Sequence, residues 1–359
     1  MNINNWQQIK QRYDAFWDGK IVDRPLIRIL APAESGDVAP EPYPRPTGSE
    51  EEIYEWYTDA DKVLAKLEYK INHTYYAGDA IPIIFPMATS LPAIQAAYMG
   101  GDYHISPANG SGWCNHSITD WKDAGKFNYD PDNKWWIATR MLLEKAGERF
   151  AGKAFIGSPD IQGGGQILDS LRGTENLLMD FFDVPDEVKK MMPMIDCAWE
   201  KYWTECNDII LKYQEGYLDW MALWSSKPMV TVECDVSVMV SPDHFNEFFL
   251  PSLKKQVDFV DRSIYHLDGE GEICHLDTLL SIEKLSGIQW VPEPRNRDIR
   301  KFMPMLKRIR NAGKLVVITG CLDGFETVKM VLDELGPEGV FISFWCESPE
   351  KADALLESL

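Results

Sequence analysis

Apolar positions follow two rhythms along this chain, and each predicts a different element. Trp6, Ile9, Tyr13, Phe16 and Trp17 recur at steps of three and four, a helical stripe that stops near Gly19. The run PLIRIL after Asp23-Arg24-Pro25 predicts a strand, and the Pro- and Gly-rich segment from Ala31 to Gly48 predicts a loop or excursion. Ser49 with Glu52 three residues on is a capping-box signature. It opens a helix whose apolar positions are Ile53, Trp56, Val63, Leu64, Leu67 and Ile71. AIPIIF at 80–85 is the next strand. From Met87 to Asp130 the chain is irregular, too long for a simple connection, which predicts a cap or lid.

The rhythm then becomes regular. A helix from about Trp135 to Phe150 leads to AFIGSP (154–159), to helices over about 173–213 and to the extended runs YLDWMAL (217–223) and MVTVECDVSV (229–238). Ser241-Pro242 opens another helix, an N-cap followed by proline at the first helical position. SIYHLDG (263–269), GIQWVP (287–292), KLVVITG (314–320) and GVFISFW (339–345) alternate with helices, two of which end at Gly313 and Gly336. Ser348-Pro349 starts the last helix. Short apolar strands alternating with amphipathic helices predict an α/β fold with a parallel sheet, closed into a (β/α)8 TIM barrel. The expected plan is a single domain over 1–359, with N-terminal helical additions and a cap-like insertion within 31–130. An open doubly wound sheet is the alternative, but no GxGxxG marks a strand-to-helix turn, and Gly163-Gly164-Gly165 has a different spacing.

Charge narrows the function classes. With 36 Lys+Arg against 56 Asp+Glu, the net charge is −20, and no basic run offers a local patch for a phosphate backbone. Nucleic acid is therefore not an expected partner. No basic n-region precedes an apolar h-region, and no stretch approaches about 18 uninterrupted apolar residues, so neither export nor membrane insertion is expected. Seven cysteines in a long chain without a CxxC predict a reducing, cytoplasmic setting.

Catalytic groups of such folds come from the carboxyl ends of the strands. There the sequence places Asp160, then Glu233, Cys234 and Asp235 in VECD, His266 and Asp268 in YHLDG, Gln289 with Trp290 in GIQW, Cys321, and Cys346. Residues two apart on a strand point the same way, so His266 and Asp268 can converge on one ligand or one proton. Cys346, from a final strand that returns toward the first, completes a set of three zinc-competent donors. The plainer reading makes His266 a core histidine bonded to Asp268, and Cys346 a small buried hydrophobe. Glu233 and Asp235 share a face and, with Asp160, Gln289 and Trp290, are candidate substrate contacts. Trp113, Trp121, Trp224, Trp290 and Trp345 could wall an organic ligand or fill core seams. Neither a GxSxG elbow nor a phosphate-cradling Walker loop is present.

Several segments, together covering most of the chain, resemble the uroporphyrinogen decarboxylase superfamily. They are Asp23-Arg24-Pro25, SPDIQGGGQILDSLRGTENLLMDFFDVPDEV at 158–188, VSPDHFNEFFLPSLKK at 240–255, YHLDGEGEICHLDTLL at 265–280, GIQWVPEP at 287–294 and the Cys346-containing end. The resemblance implies a barrel, often dimeric, serving one of two chemistries. The decarboxylases hold a tetrapyrrole's carboxylates with an arginine-rich strand, RPPVWxMRQAGR. The corresponding stretch here, DRPLIRILAPAESG, keeps only Arg24 and Arg28. The zinc methyltransferases pass methyl groups between a corrinoid protein and a thiol or other acceptor, and carry HxC and a later cysteine. His266 stands at their histidine, Asp268 at their first cysteine and Cys346 at the later one. The expectation is thus a metal-dependent methyltransferase, with zinc on His266, Asp268 and Cys346 and a corrinoid partner. In a metal-free variant of that expectation, His266 is a general acid/base oriented by Asp268. A decarboxylase-like enzyme and a non-catalytic ligand-binding barrel are the alternatives.

Overall fold

The computed structural model describes residues 5–33, 40–106, 108–320, 322 and 324–358. Cys321 and part of the proline-rich segment, 34–39, lie outside the described residues. The strands in chain order are β1 (Leu26–Pro32), β2 (Thr74–Gly78), β3 (Ile83–Ile84), β4 (Tyr103–Ile105), β5 (Gly112–Cys114), β6 (Phe155–Ile156), β7 (Met229–Val232), β8 (Arg262–Asp268), β9 (Gly287–Val291), β10 (Leu315–Thr319) and β11 (Val340–Trp345). Seven form one sheet in the order β2-β1-β11-β10-β9-β8-β7. All of its pairings are parallel except that of β1 with β2. β3 pairs with β6 in parallel, and β4 with β5 in an antiparallel ribbon.

The α/β expectation holds, but the sheet is not closed. β2 occupies the free edge of β1 and runs antiparallel to it, ending the ladder there. On the other side, one segment takes the bonds of both β6 and β7. Ile156 N donates to Gln214 Oε1 (2.6 Å) and Ser158 N to the Leu218 carbonyl (2.8 Å), while Thr231 N of β7 donates to Asp219 Oδ2 (2.6 Å). YLDWMAL is accordingly not a strand; a single bridge joins Tyr217 to Ser225. The strand expected over 229–238 stops at Val232 and gives way to a 3-10 turn, Asp235–Met239. The segment 31–130 contributes β2, β3, the ribbon, a short helix Ile94–Tyr98 and a 3-10 turn Trp121–Lys126, besides two longer helices, Glu50–Thr58 and Ala60–Asn72. These replace the one helix expected. The capping box forms, with Ser49 N donating to Glu52 Oε2 at 2.8 Å, but Asp59 ends the first helix and caps the second by accepting from Lys62 N.

The amino-terminal stripe packs as its spacing predicts. Trp6, Ile9, Tyr13, Phe16 and Trp17 on the helix Trp6–Trp17 bury against Leu26, Phe155, Met229, Ile264, Leu315 and Phe341. Those partners sit at the starts of β1, β6, β7, β8, β10 and β11. This aromatic plug covers the amino ends of the strands, where each large side chain taken from water contributes about 1.5–3 kcal/mol. Only the carboxyl ends remain for chemistry. The plug is fastened by Asp79, fully buried, which accepts from Arg12 (2.9 Å), Arg24 (2.7 and 3.0 Å) and Ile27 N (3.0 Å). Arg12 also grips Asp23, holding that carboxyl down at about 2. Asp79→Ala leaves two half-buried guanidiniums short of a partner and should cost about 3–5 kcal/mol. Its urea midpoint would measure this, and an unchanged midpoint would rule the clamp out.

Candidate functional site

At the carboxyl end of the sheet the structure gathers acids around one histidine. Among the described residues, one group of three metal-competent donors has its ligand atoms all within 4.8 Å of one another, and it is Glu233, Asp235 and His266. The backbone turns after β7 so that Glu233 and Asp235, still alternating across Cys234, both reach His266 of β8. Two glutamines hold the carboxylates in place. Gln162 Nε2 donates to Glu233 Oε1 and to Asp160 Oδ1 (3.3 Å), and Gln166 donates to Asp235 Oδ2 (3.2 Å) while accepting from Asp235 N (2.8 Å). These glutamines bracket Gly163-Gly164-Gly165, and the glycines let their segment approach. A Cβ on Gly164 would lie 2.5 Å from Ser252 Oγ, and one on Gly165 2.9 Å from Cys234 Sγ.

The environment is strongly unfavourable to ionised carboxylates. Asp160 is pushed up to about 8 by burial and then by Asp219 and Asp235. Glu233 is raised by burial and by Asp160, Asp235, Glu272 and Asp268, and Asp235 rises by burial against the opposing influence of His266. Glu272, wholly buried, reaches about 9 through burial and Asp235. Its Oε2 accepts from Tyr265 OH (3.2 Å). Asp219 rises to about 6 by burial, opposed by its bonds to Thr231 and Met221 N. Five acids thus face one another with a single imidazole among them, and Asp235 Oδ1 is buried with no partner.

His266 is oriented by Gln289, not by Asp268. Gln289 Nε2 donates to Thr319 Oγ1 (2.5 Å), which turns its Oε1 toward His266 Nδ1. That oxygen can only accept, so Nδ1 carries a proton, and in the neutral imidazole Nε2 is the nitrogen left to bind a ligand. Trp220 stands edge-on to the ring, centroids 5.1 Å apart. Gln289→Leu removes the orienting acceptor, an outer partner whose loss typically costs roughly 10- to 100-fold in metal affinity. Titration with zinc should show that drop, and undiminished affinity would leave Gln289 a packing residue.

The expected triad of His266, Asp268 and Cys346 is not what the structure assembles. Asp268 is exposed at the end of β8 and outside the group of three. Cys346 lies past β11, separated in the sheet from β8 by β9 and β10, and lines a cavity of about 660 Å³ with Leu322, Phe325 and Trp345. Burial raises its thiol. Of the expected substrate contacts, Asp160, Glu233 and Asp235 are in the cluster and Gln289 supports it. Trp290 faces away: it is fully buried against Phe302, centroids 4.6 Å apart. Trp224 belongs to the aromatic plug, Trp113 stacks on His104, and Trp345 is exposed. Sequence reasoning missed Gln162, Gln166, Glu272, Asp219 and Trp220. The flanking of three glycines by two glutamines was the available signal for the first two.

No protein-family profile matches the chain, and no curated protein does. Solved structures do match. One is a methyltransferase from Methanosarcina mazei, with a TM-score of 0.63 and 14% identity over 98% of this chain and 97% of that one. At that identity the likeness is one of fold, and the chain shares the α/β fold of that methyltransferase.

Proposed function

We propose that this protein is a metal-dependent methyltransferase whose ion is held by Glu233, Asp235 and His266. The observation that carries the reading is that cluster itself. Its donor atoms converge within 4.8 Å, one carboxylate oxygen lacks any partner, and the crowding of acids is what a divalent cation relieves. The residues fit such an ion. Two carboxylates and a neutral imidazole are a donor set for zinc, and equally for manganese or iron, and no thiolate is required.

The bound ion would supply Lewis acidity toward the heteroatom that carries the methyl group. The chain's own residues do the rest. His266 presents Nε2, fixed by Gln289 through Nδ1. Gln162 and Gln166 each hold one oxygen of Glu233 and Asp235, leaving the other oxygen of each carboxylate for the ion. Asp160, near 8 in the metal-free protein, carries its proton there at neutral pH and sits one glutamine away from Glu233. It can deliver that proton to the heteroatom as the methyl group departs, acting as general acid. Trp220 shields one side of the imidazole from water. The methyl acceptor in this reading is a corrinoid on a partner protein, as the sequence resemblance implies. A polycarboxylate substrate is disfavoured, because it would have to approach a site already crowded with acids.

The test is a methyl-transfer assay with free cob(I)alamin as acceptor and small methylated amines, thiols and ethers as donors, on protein stripped of metal and then reloaded. Transfer that returns with zinc, manganese or iron supports the reading. Transfer at full rate in stripped protein, or none with any donor and metal, counts against it.

A further inference from the structure

A second cavity, of about 340 Å³, lies between β1, the β3 segment and the helix Ala60–Asn72, on the side where β2 leaves the sheet open. The size falls within the range of small-molecule sites. Arg28, Lys66 and Lys70 line it, and none of the described residues lining it is acidic. Its remaining walls are mainly apolar or aromatic, with the hydroxyls of Tyr57, Tyr76 and Ser90 among the exceptions.

Among the described residues, the two inner cations form no ion pair of the kind the chain supplies to comparable groups elsewhere. Arg12 and Arg24 share Asp79, Arg172 has Asp180, and Arg262 has Asp14. Arg28 has no carboxylate among the described residues. One of its terminal nitrogens donates to Ser343 Oγ (2.9 Å), and its Nε is buried with no partner. Lys66 is 6% exposed. Its Nζ lies 3.1 Å from the centroid of the Trp56 ring, and its described acceptor is the Trp56 carbonyl at 3.0 Å, leaving two of three ammonium protons to place. Burial and then Lys70 push it down to about 7, against the weaker opposing influence of Glu41 and Asp59. A guanidinium cannot shed its charge, so burying Arg28 unpaired costs several kcal/mol unless something negative arrives.

We propose that this cavity binds a small molecule ending in a carboxylate or phosphate, its oxyanion between Arg28 and Lys66 and its apolar body against Val63, Leu67 and Ile84. No residue of the Glu233–Asp235–His266 group lines it, and the proposal does not depend on the reaction assigned there. Apolar walls with two unpaired cations at one place select for an amphiphilic anion, because a neutral analogue gains the walls and leaves the cations stranded.

Calorimetric titration with hexanoate, hexanamide and inorganic phosphate tests it. Hexanoate should bind at least tenfold more tightly than hexanamide, and Lys66→Met and Arg28→Met should each weaken it at least tenfold. Phosphate binding without hexanoate binding would assign the phosphate head and support the anion site. Equal binding of hexanoate and hexanamide, no binding of any probe, or full affinity in Lys66→Met would overturn the proposal. Should Arg28→Met fail to fold, Ala88→Trp, which obstructs the cavity and keeps both cations, decides: undiminished hexanoate binding would overturn the site.

Discussion

Glu233→Gln should lower divalent-metal affinity by more than about 100-fold, beyond the roughly 10- to 100-fold expected for an outer partner such as Gln289. It should also make the metal-free protein more stable. The two effects share one cause. Glu233 is buried against Asp160, Asp235, Glu272 and Asp268, so its charge is useful only to a cation and harmful without one. Glutamine keeps the volume and can still bond Gln162 while removing that charge. His266→Ala should lose the metal as well, without the gain in apo stability, since it removes the larger of the two influences that lower Asp235, the other being the bond from Gln166. Cys346→Ser should leave metal content alone. Elemental analysis and melting of stripped protein read all three. Full metal occupancy in Glu233→Gln, or loss of metal in Cys346→Ser with retention in His266→Ala, would sink the assignment.

Metal-free protein should melt at progressively lower temperature as pH rises from about 5 to 8.5. Asp160 and Glu272 have model-compound values of 3.8 and 4.5 but hold their protons to about 8 and 9 when folded. Between those limits the folded chain binds more protons than the unfolded one, so stability is full below the lower values and drains away as pH climbs toward the upper ones. The slope approaches about 1.4 kcal/mol per pH unit for each such group. Asp23 acts in the opposite sense at the acid end, since its lowered value makes its stabilisation present above 3.8 and lost as pH falls toward 2. The stability maximum of the stripped protein should therefore lie near pH 4 to 5. Saturating divalent metal should flatten the fall on the alkaline side, because the bound form wants Glu233 and Asp235 ionised. Melting temperatures that stay level or rise toward pH 8.5 without metal would contradict the electrostatic picture of the site.

The sequence made the strands after residue 260 legible because β8 to β11 are buried along most of their length and read as short, mainly apolar runs between helices. The caps at Ser49, Ser241 and Ser348 were legible because a hydroxyl and a proline or glutamate act within one turn. The open seams were not. β3 and β6 hold only two paired residues each, and whether neighbours complete a ladder depends on contacts that no local pattern records. β2 was hidden because Thr74-Tyr75-Tyr76 follows directly on a helical stripe. The site was half legible for a similar reason. Alternation put Glu233 with Asp235 and pointed at His266, but it also paired His266 with Asp268, whereas the orienting bond crosses to Gln289 on the adjacent strand. Cys346 was placed by the return of the last strand in a closed barrel and by the resemblance, and the sheet puts two strands between its own and that of His266.

The pairing of β1 with β11 joins Leu26 to Phe341, and it sets a delay on biogenesis. At a synthesis rate of about 5–20 residues per second, β1 leaves the ribosome roughly 15 to 60 seconds before its parallel neighbour exists. During that interval it presents a bare row of amide and carbonyl groups on one side, the kind of edge that recruits foreign strands. Antiparallel β2, made within the next fifty residues, covers the other side at once. A strand that looks like an interruption in the finished sheet is therefore also a chaperone carried by the chain itself, halving the sticky perimeter of the nascent amino-terminal region until the last strand arrives.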